Sequence, residues 1–175
     1  MKVSVYIAAS VDGYIAKQNG DVSWLHDARY AIAGEDFGYA EFMRDVDCIV
    51  MGRNTYEKVL EFDPWPFTGK RVVVLSRTLP SIDRSGSELS AEAPAALLQK
   101  LAAEGIKKVY LDGGKTIQSF LREGLVNEIT VTRIPILLGS GLPLFGPMDA
   151  SVHLQHAKTH TFANGFIRST WLVGR

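Results

Sequence analysis

The stretch Ile49-Val50-Met51-Gly52-Arg53-Asn54-Thr55-Tyr56-Glu57 decides how this chain folds. Cys48 to Met51 is an apolar run, as a strand buried on both faces requires. Gly52 follows, then a cation and a hydroxyl residue, then a helix predicted over Thr55 to Leu60. A helix N-terminus carries unpaired N–H groups and a partial positive charge, so it suits a phosphate. Such a turn can equally serve only to reverse the chain. A second one follows the predicted strand Lys108 to Leu111. It is Asp112-Gly113-Gly114-Lys115-Thr116, leading into a helix over Ile117 to Arg122. Its two glycines would bare the backbone to a diphosphate, or would simply permit a tight turn with positive φ. Between the two lies a third apolar run, Val72 to Leu75, ending in Ser76-Arg77. A serine and an arginine just past a strand end fit a phosphate monoester, such as the 2′-phosphate that distinguishes NADP from NAD. A solvated loop arginine is the alternative. The G-x-G-x-x-G fingerprint of a standard dinucleotide site is absent.

Working outward, strands and helices alternate for two thirds of the chain. Val3 to Ala9 reads as a strand, Asp36 to Arg44 as a helix, and Pro94 to Ala103 as an amphipathic helix with proline in its first turn and Gly105 as its stop. Asp63 to Gly69 is a loop, because two prolines interrupt it. Ser81 to Ser90 is polar and indistinct. Glu128 to Ile134 alternates as a strand. Val152 to Thr161 and Phe166 to Val173 form a hairpin around Ala163-Asn164-Gly165. The predicted fold is α/β, with a mostly parallel central sheet, helices on both faces and an antiparallel C-terminal hairpin, in one domain spanning residues 1–175. Ligands of such sheets bind at the carboxyl ends of the strands.

Composition excludes several function classes. Nineteen basic and nineteen acidic residues cancel, leaving no nucleic-acid footprint and no polybasic membrane patch. The single cysteine, Cys48, rules out an internal disulfide. No apolar stretch approaches the roughly 18 residues of a membrane helix, and Met1 to Ile7 alternates like a strand rather than a signal peptide. A cytoplasmic location is expected. His153, His156 and His160 lack the companions of a metal site, so no metal is expected.

In order along the chain, Ala8-Ala9 with Val11-Asp12-Gly13-Tyr14-Ile15-Ala16, Met51 to Glu57, Val74-Leu75-Ser76-Arg77 and Asp112-Gly113-Gly114 with Phe120-Leu121 resemble the dihydrofolate reductase-like superfamily. Gly124-Leu125-Val126-Asn127-Glu128-Ile129 and the segment Pro135 to Phe145 bring the resemblance closer to the reductase domain of the bifunctional riboflavin-biosynthesis deaminase/reductase. A deaminase would need an H-x-E…C-x-x-C zinc set, which one cysteine cannot supply, so a stand-alone reductase-like domain is expected. The resemblance implies an NADPH-dependent reductase acting on a small molecule, and a homodimer using the Pro135 to Phe145 segment and its edge strand. It implies cofactor contacts from Ala9 and Ile15, from Gly52, Arg53 and Thr55, from Leu75, Ser76 and Arg77, and from Gly113, Gly114, Lys115 and Thr116. The alternatives are a dihydrofolate reductase and a nucleotide-binding dimer without turnover.

The resemblance also marks Asp36, fifteen residues before Met51, as the substrate-side carboxylate and catalytic acid. A buried carboxylate there would have a raised pKa, whereas an exposed one would only cap a helix, and Glu35 competes for the role. Trp24 falls where the resembled family has a loop closing over nicotinamide, so it is a candidate substrate contact. Lys70 falls where dihydrofolate reductase has an arginine for the folate tail. Lysine cannot reproduce that bidentate grip, and Leu25 to Glu35 is longer and more polar than in dihydrofolate reductase. Both departures point away from folate.

Overall fold

A computed structural model describes residues 1–82 and 84–174. Asp83, within the indistinct stretch 81–90, and Arg175, at the end of the expected domain, lie outside the described residues.

The centre is an eight-stranded sheet in the order β5-β4-β3-β6-β1-β7-β10-β9. Its strands are β1 (Lys2–Ser10), β3 (Cys48–Gly52), β4 (Arg71–Leu75), β5 (Ser87–Ser90), β6 (Lys108–Asp112), β7 (Glu128–Ile134), β9 (Leu154–Thr161) and β10 (Ile167–Val173). The first six in that order run parallel, and β10 and β9 close the sheet antiparallel. A small second sheet pairs β2 (Tyr14–Ala16) with β8 (Leu142–Pro143). The helices are α1 (Tyr39–Arg44), α2 (Arg53–Val59), α3 (Pro94–Ala103) and α4 (Gly114–Arg122). No helix among the described residues is long and apolar enough to cross a membrane.

Strand alternation divides the core into two layers. Val5, Val50, Val73 and Leu111 pack with Leu97 and Leu101 of α3 and with Ile117 and Phe120 of α4. On the other face Ile49, Met51, Val72 and Tyr110 pack with Phe42 and Met43 of α1 and with Tyr56 of α2. The expected helices on both faces are therefore present.

Two expectations are corrected. The helix expected from Asp36 begins only at Tyr39, because Phe37 (φ 56°) and Gly38 (φ 81°) are left-handed. Within Ser81 to Ser90 a polar strand, β5, extends the sheet by pairing with β4. The Pro135 to Phe145 segment contributes β8 to the small sheet with β2, and Gln118 of α4 donates to the carbonyls of Pro143 and Leu144 at 3.1 and 3.2 Å.

Candidate active site

Parallel pairing sets the predicted turns side by side. Gly52 is paired with Leu75, and Met51 with Asp112, so the carboxyl ends of β4, β3 and β6 lie level in consecutive order. The helices α2 and α4 start from two of these ends, and neither N-terminus has a side-chain cap. Their first N–H groups have no intrahelical partner and remain available to an anion.

The glycines have a packing role at these turns. Gly113 has φ 89°, and a Cβ there would run into Thr55 Oγ1. A Cβ on Gly114 would meet the Pro143 carbonyl at 2.8 Å and Ile15 Cδ1 at 3.1 Å, and one on Gly52 would meet Thr116 Oγ1 at 3.2 Å. The missing side chains let the two turns and the β8 segment close on one another. Thr55, Gly113, Gly52, Thr116, Gly114 and Ile15 thus form one contiguous patch.

Arg53 reaches from this patch towards the third strand end, donating to Glu57 Oε1 at 2.6 Å and to Thr78 Oγ1 at 3.3 Å. The Ser76 hydroxyl oxygen accepts the N–H groups of Thr78 and Leu79 at 3.2 and 3.0 Å, which shapes the loop that carries Arg77. Arg77 is exposed and has no hydrogen bond or ion pair among the described residues. Lys115 is exposed on the first turn of α4. Ala9 is buried in β1, which runs past the end of β6.

Asp36 lies just before the turn that opens α1. It is exposed, and the N–H groups of Ala40 and Gly38 each donate to its carboxylate at 2.8 Å. These bonds keep its pKa below the ordinary value, which corrects the expectation of a raised one. Glu35 next to it is exposed as well and accepts the Phe37 N–H at 2.7 Å. Both acids hold the start of α1. Asp36→Asn, which keeps the acceptor for one of these N–H groups, is expected to lower the unfolding free energy by less than about 1 kcal/mol. Chemical denaturation measures it, and a loss above about 2 kcal/mol would contradict the capping role.

The acid that sequence reasoning missed is Asp112. It is partly buried at the end of β6, on the face that α1 covers. Burial raises its pKa to about 6, against the pull of the Gly113 N–H at 2.9 Å and of Tyr110. Tyr110 is fully packed and its hydroxyl donates to the Tyr6 carbonyl at 3.0 Å. Tyr39, the first residue of α1, has its phenol pKa raised by burial and by the negative charge of Asp112. The sequence did contain a signal: an acid closing the apolar run Val109-Tyr110-Leu111 must be accommodated at a cost.

Trp24 sits in a 3-10 turn, Ser23–His26, 6% exposed, against Ala8, Ile134, Phe37 and Phe166. Ala8 shares its face of β1 with Tyr6, the residue after Val5, which is paired with Leu111. The Trp24 indole N–H is buried without a partner among the described residues. Lys70 is not part of this site. It precedes β4 at the opposite, amino end of that strand, about 16 Å from Leu75 at ~3.3 Å per residue, and its ammonium donates to the Val46 carbonyl at 2.7 Å.

The RibD C-terminal domain family matches residues 1–168. The chain belongs to that family. The Bacillus subtilis (strain 168) protein YwjB is 33% identical to this RibD C-terminal domain over 164 residues, 92% of each chain. The riboflavin biosynthesis protein RibD of Corynebacterium ammoniagenes is 28% identical over 162 residues, which are 80% of this chain and 44% of that one. A solved structure from Shewanella sp. PV-4, named for riboflavin biosynthesis, superposes with a TM-score of 0.93 at 38% identity over the whole of both chains. The Thermotoga maritima diaminohydroxyphosphoribosylaminopyrimidine deaminase/5-amino-6-(5-phosphoribosylamino)uracil reductase shares the fold, with a TM-score of 0.72 at 15% identity over 99% of this chain and 56% of that one.

Proposed function

We propose that the protein is an NADPH-dependent reductase that delivers a hydride to a carbonyl or imine carbon of a small heterocyclic metabolite. The type substrate is 5-amino-6-(5-phosphoribosylamino)uracil, by extension from the RibD relatives. One observation carries the proposal: the level strand ends of β4, β3 and β6 hold two uncapped helix N-termini and the unpaired Arg77 beside a partly buried acid. These residues fit a cofactor with several anionic groups. Its diphosphate would lie against the first turns of α2 and α4, within reach of Arg53 and Lys115, and Ser76 and Arg77 would take a 2′-phosphate. When bound, a reduced nicotinamide supplies the hydride.

The chain's own part is to place the acceptor and protonate it. Asp112, with a pKa near the working pH, is the proton donor for the heteroatom of the reduced bond. Asp36 keeps the start of α1, and with it Tyr39, in place. The Trp24 indole N–H, an orphan donor among the described residues, costs roughly 1–3 kcal/mol while unpaired. Cys48 takes no part, since burial pushes its thiol up to about 12. Such chemistry belongs in the cytoplasm.

Arg77→Ala tests the cofactor assignment. It removes one charge-assisted phosphate contact and should weaken NADPH binding by ~10–150-fold while leaving NADH affinity unchanged. Fluorescence titration with both cofactors decides it, and equal affinity of the wild type for the two would sink the assignment. Dihydrofolate serves as the comparison substrate. With Lys70 tied to Val46 at the amino ends of the strands, it is expected to be turned over far more slowly than the pyrimidine.

A homodimer is part of the same proposal. All eight residues of the edge strand β9 are exposed, and Leu154, Ile167 and Leu172 add apolar surface to that region. Natural proteins cover or blunt such edges. Sedimentation at micromolar concentration should give twice the chain mass. A monomer would refute it.

A further inference from the structure

We infer that Arg168 is a positioning residue for the substrate side of the site: from β10 it clamps the left-handed Phe37–Gly38 turn and so fixes Tyr39 on the face of the sheet that carries Tyr110 and Asp112. The consequence for turnover rests on the reductase proposal; the clamp itself does not.

Phe37, at φ 56°, is the one non-glycine residue with positive φ among those described, a conformation that L residues avoid. Its carbonyl accepts hydrogen bonds from both the Arg168 guanidinium and the Tyr6 hydroxyl. The same Nη1 of Arg168 also donates to the Tyr6 oxygen at 3.1 Å. Gly38 makes the reach possible, because a Cβ there would overlap the guanidinium. The Phe37 ring is gripped separately, with centroids 5.0 Å from Phe162 and 4.8 Å from Phe166. The guanidinium carbon lies 5.6 Å from the Phe162 centroid. Tyr39 follows directly, its ring 6.0 Å from that of Tyr6. A chain of contacts therefore runs from β10 through the strained turn to the first residue of α1, which packs on the Tyr110 face of β6.

Two effects of losing Arg168 have opposite signs at Asp112. Deleting a cation raises a carboxyl pKa by electrostatics alone. Releasing the turn lets Tyr39 move away and admits water, which lowers it. The titratable groups facing that carboxyl are Tyr110 from its own strand and Tyr39 from α1.

The test compares Arg168→Met and Arg168→Lys with the wild type. Carbon-13 NMR follows the Asp112 carboxyl in the ligand-free protein, and steady-state kinetics use 5-amino-6-(5-phosphoribosylamino)uracil with NADPH. In Arg168→Met the Asp112 midpoint should fall from about 6 towards the ordinary 3.8, with Arg168→Lys in between. KM for the pyrimidine should rise by about tenfold or more with a smaller change in kcat, and NADPH affinity should hold. If Arg168→Met does not fold, Arg168→Gln, which keeps a donor without the charge, is measured in its place. An unchanged or raised Asp112 midpoint overturns the inference, as does a lowered midpoint with an unaltered KM. If the wild type does not reduce the pyrimidine, the proposed function fails, and the Asp112 titration still decides the role of Arg168.

Discussion

Replacing Asp112 by Asn is expected to lower kcat by about 10²–10⁴-fold, the usual consequence of losing a general acid. NADPH affinity should stay within about twofold, because the anion-holding N–H groups belong to the helix starts beside it rather than to the carboxylate. The wild-type rate should fall as pH rises through about 6, where Asp112 loses its proton. The Asp112→Asn variant should lack that limb. The same substitution should also stabilise the protein. Burial raises the folded pKa above its ordinary 3.8, so the folded state binds more protons than the unfolded chain between pH 4 and 6. Stability therefore falls as pH rises across that window and stays lower above it. A neutral amide of the same shape removes the penalty, worth up to about 3 kcal/mol at pH 7 by the size of the shift, and less because the group is only partly buried. A variant both inactive and more stable marks a group kept for chemistry. A variant less stable at pH 7, or with unaltered kcat, would assign Asp112 a structural role and return the proton to water or to the substrate.

Gly113→Val should have the largest effect on the fold. The residue stands at φ 89°, and its new side chain would run into Thr55. Strain of roughly 1–3 kcal/mol adds to an overlap of similar size. Gly105→Val is the matched control, since Gly105 has φ 86° with nothing within 4 Å of a Cβ. Denaturant unfolding should show a loss for Gly113→Val exceeding that for Gly105→Val by about 1–3 kcal/mol. NADPH binding should weaken by about tenfold or more in the former alone, because separating the turns misaligns both helix starts. Equal losses in the two variants would mean that the contact with Thr55 contributes nothing. Adding Thr55→Ala to Gly113→Val should recover part of the difference.

Elements governed by their own residues were legible in the sequence. Pro94 and Gly105 bound α3, apolar runs marked β3, β4 and β6, and Ala163-Asn164-Gly165 marked the last hairpin. What could not be read depends on distant partners. β5 is Ser87-Glu88-Leu89-Ser90, too polar to announce itself, and it exists because β4 offers a free edge. The left-handed Phe37 is held by Tyr6 and Arg168, from opposite ends of the chain. Asp36 was placed at a helix start, but whether it is buried is decided by the sheet beneath it. Asp112 opens a glycine turn in the sequence, while its raised pKa comes from burial beneath elements distant in the chain. The line of strand ends was foreseen in its residues, and the pairing of β4, β3 and β6 explains why they meet.

The most direct test of the central claim is a single-turnover mixing experiment. Protein preloaded with NADPH is mixed with 5-amino-6-(5-phosphoribosylamino)uracil, and the loss of reduced-nicotinamide absorbance is followed together with the mass of the pyrimidine product. The account predicts one NADPH oxidised per site and a product heavier by two hydrogens, with the burst slowed in Asp112→Asn. NADPH that binds tightly and stays reduced, with the pyrimidine recovered unchanged, would contradict it.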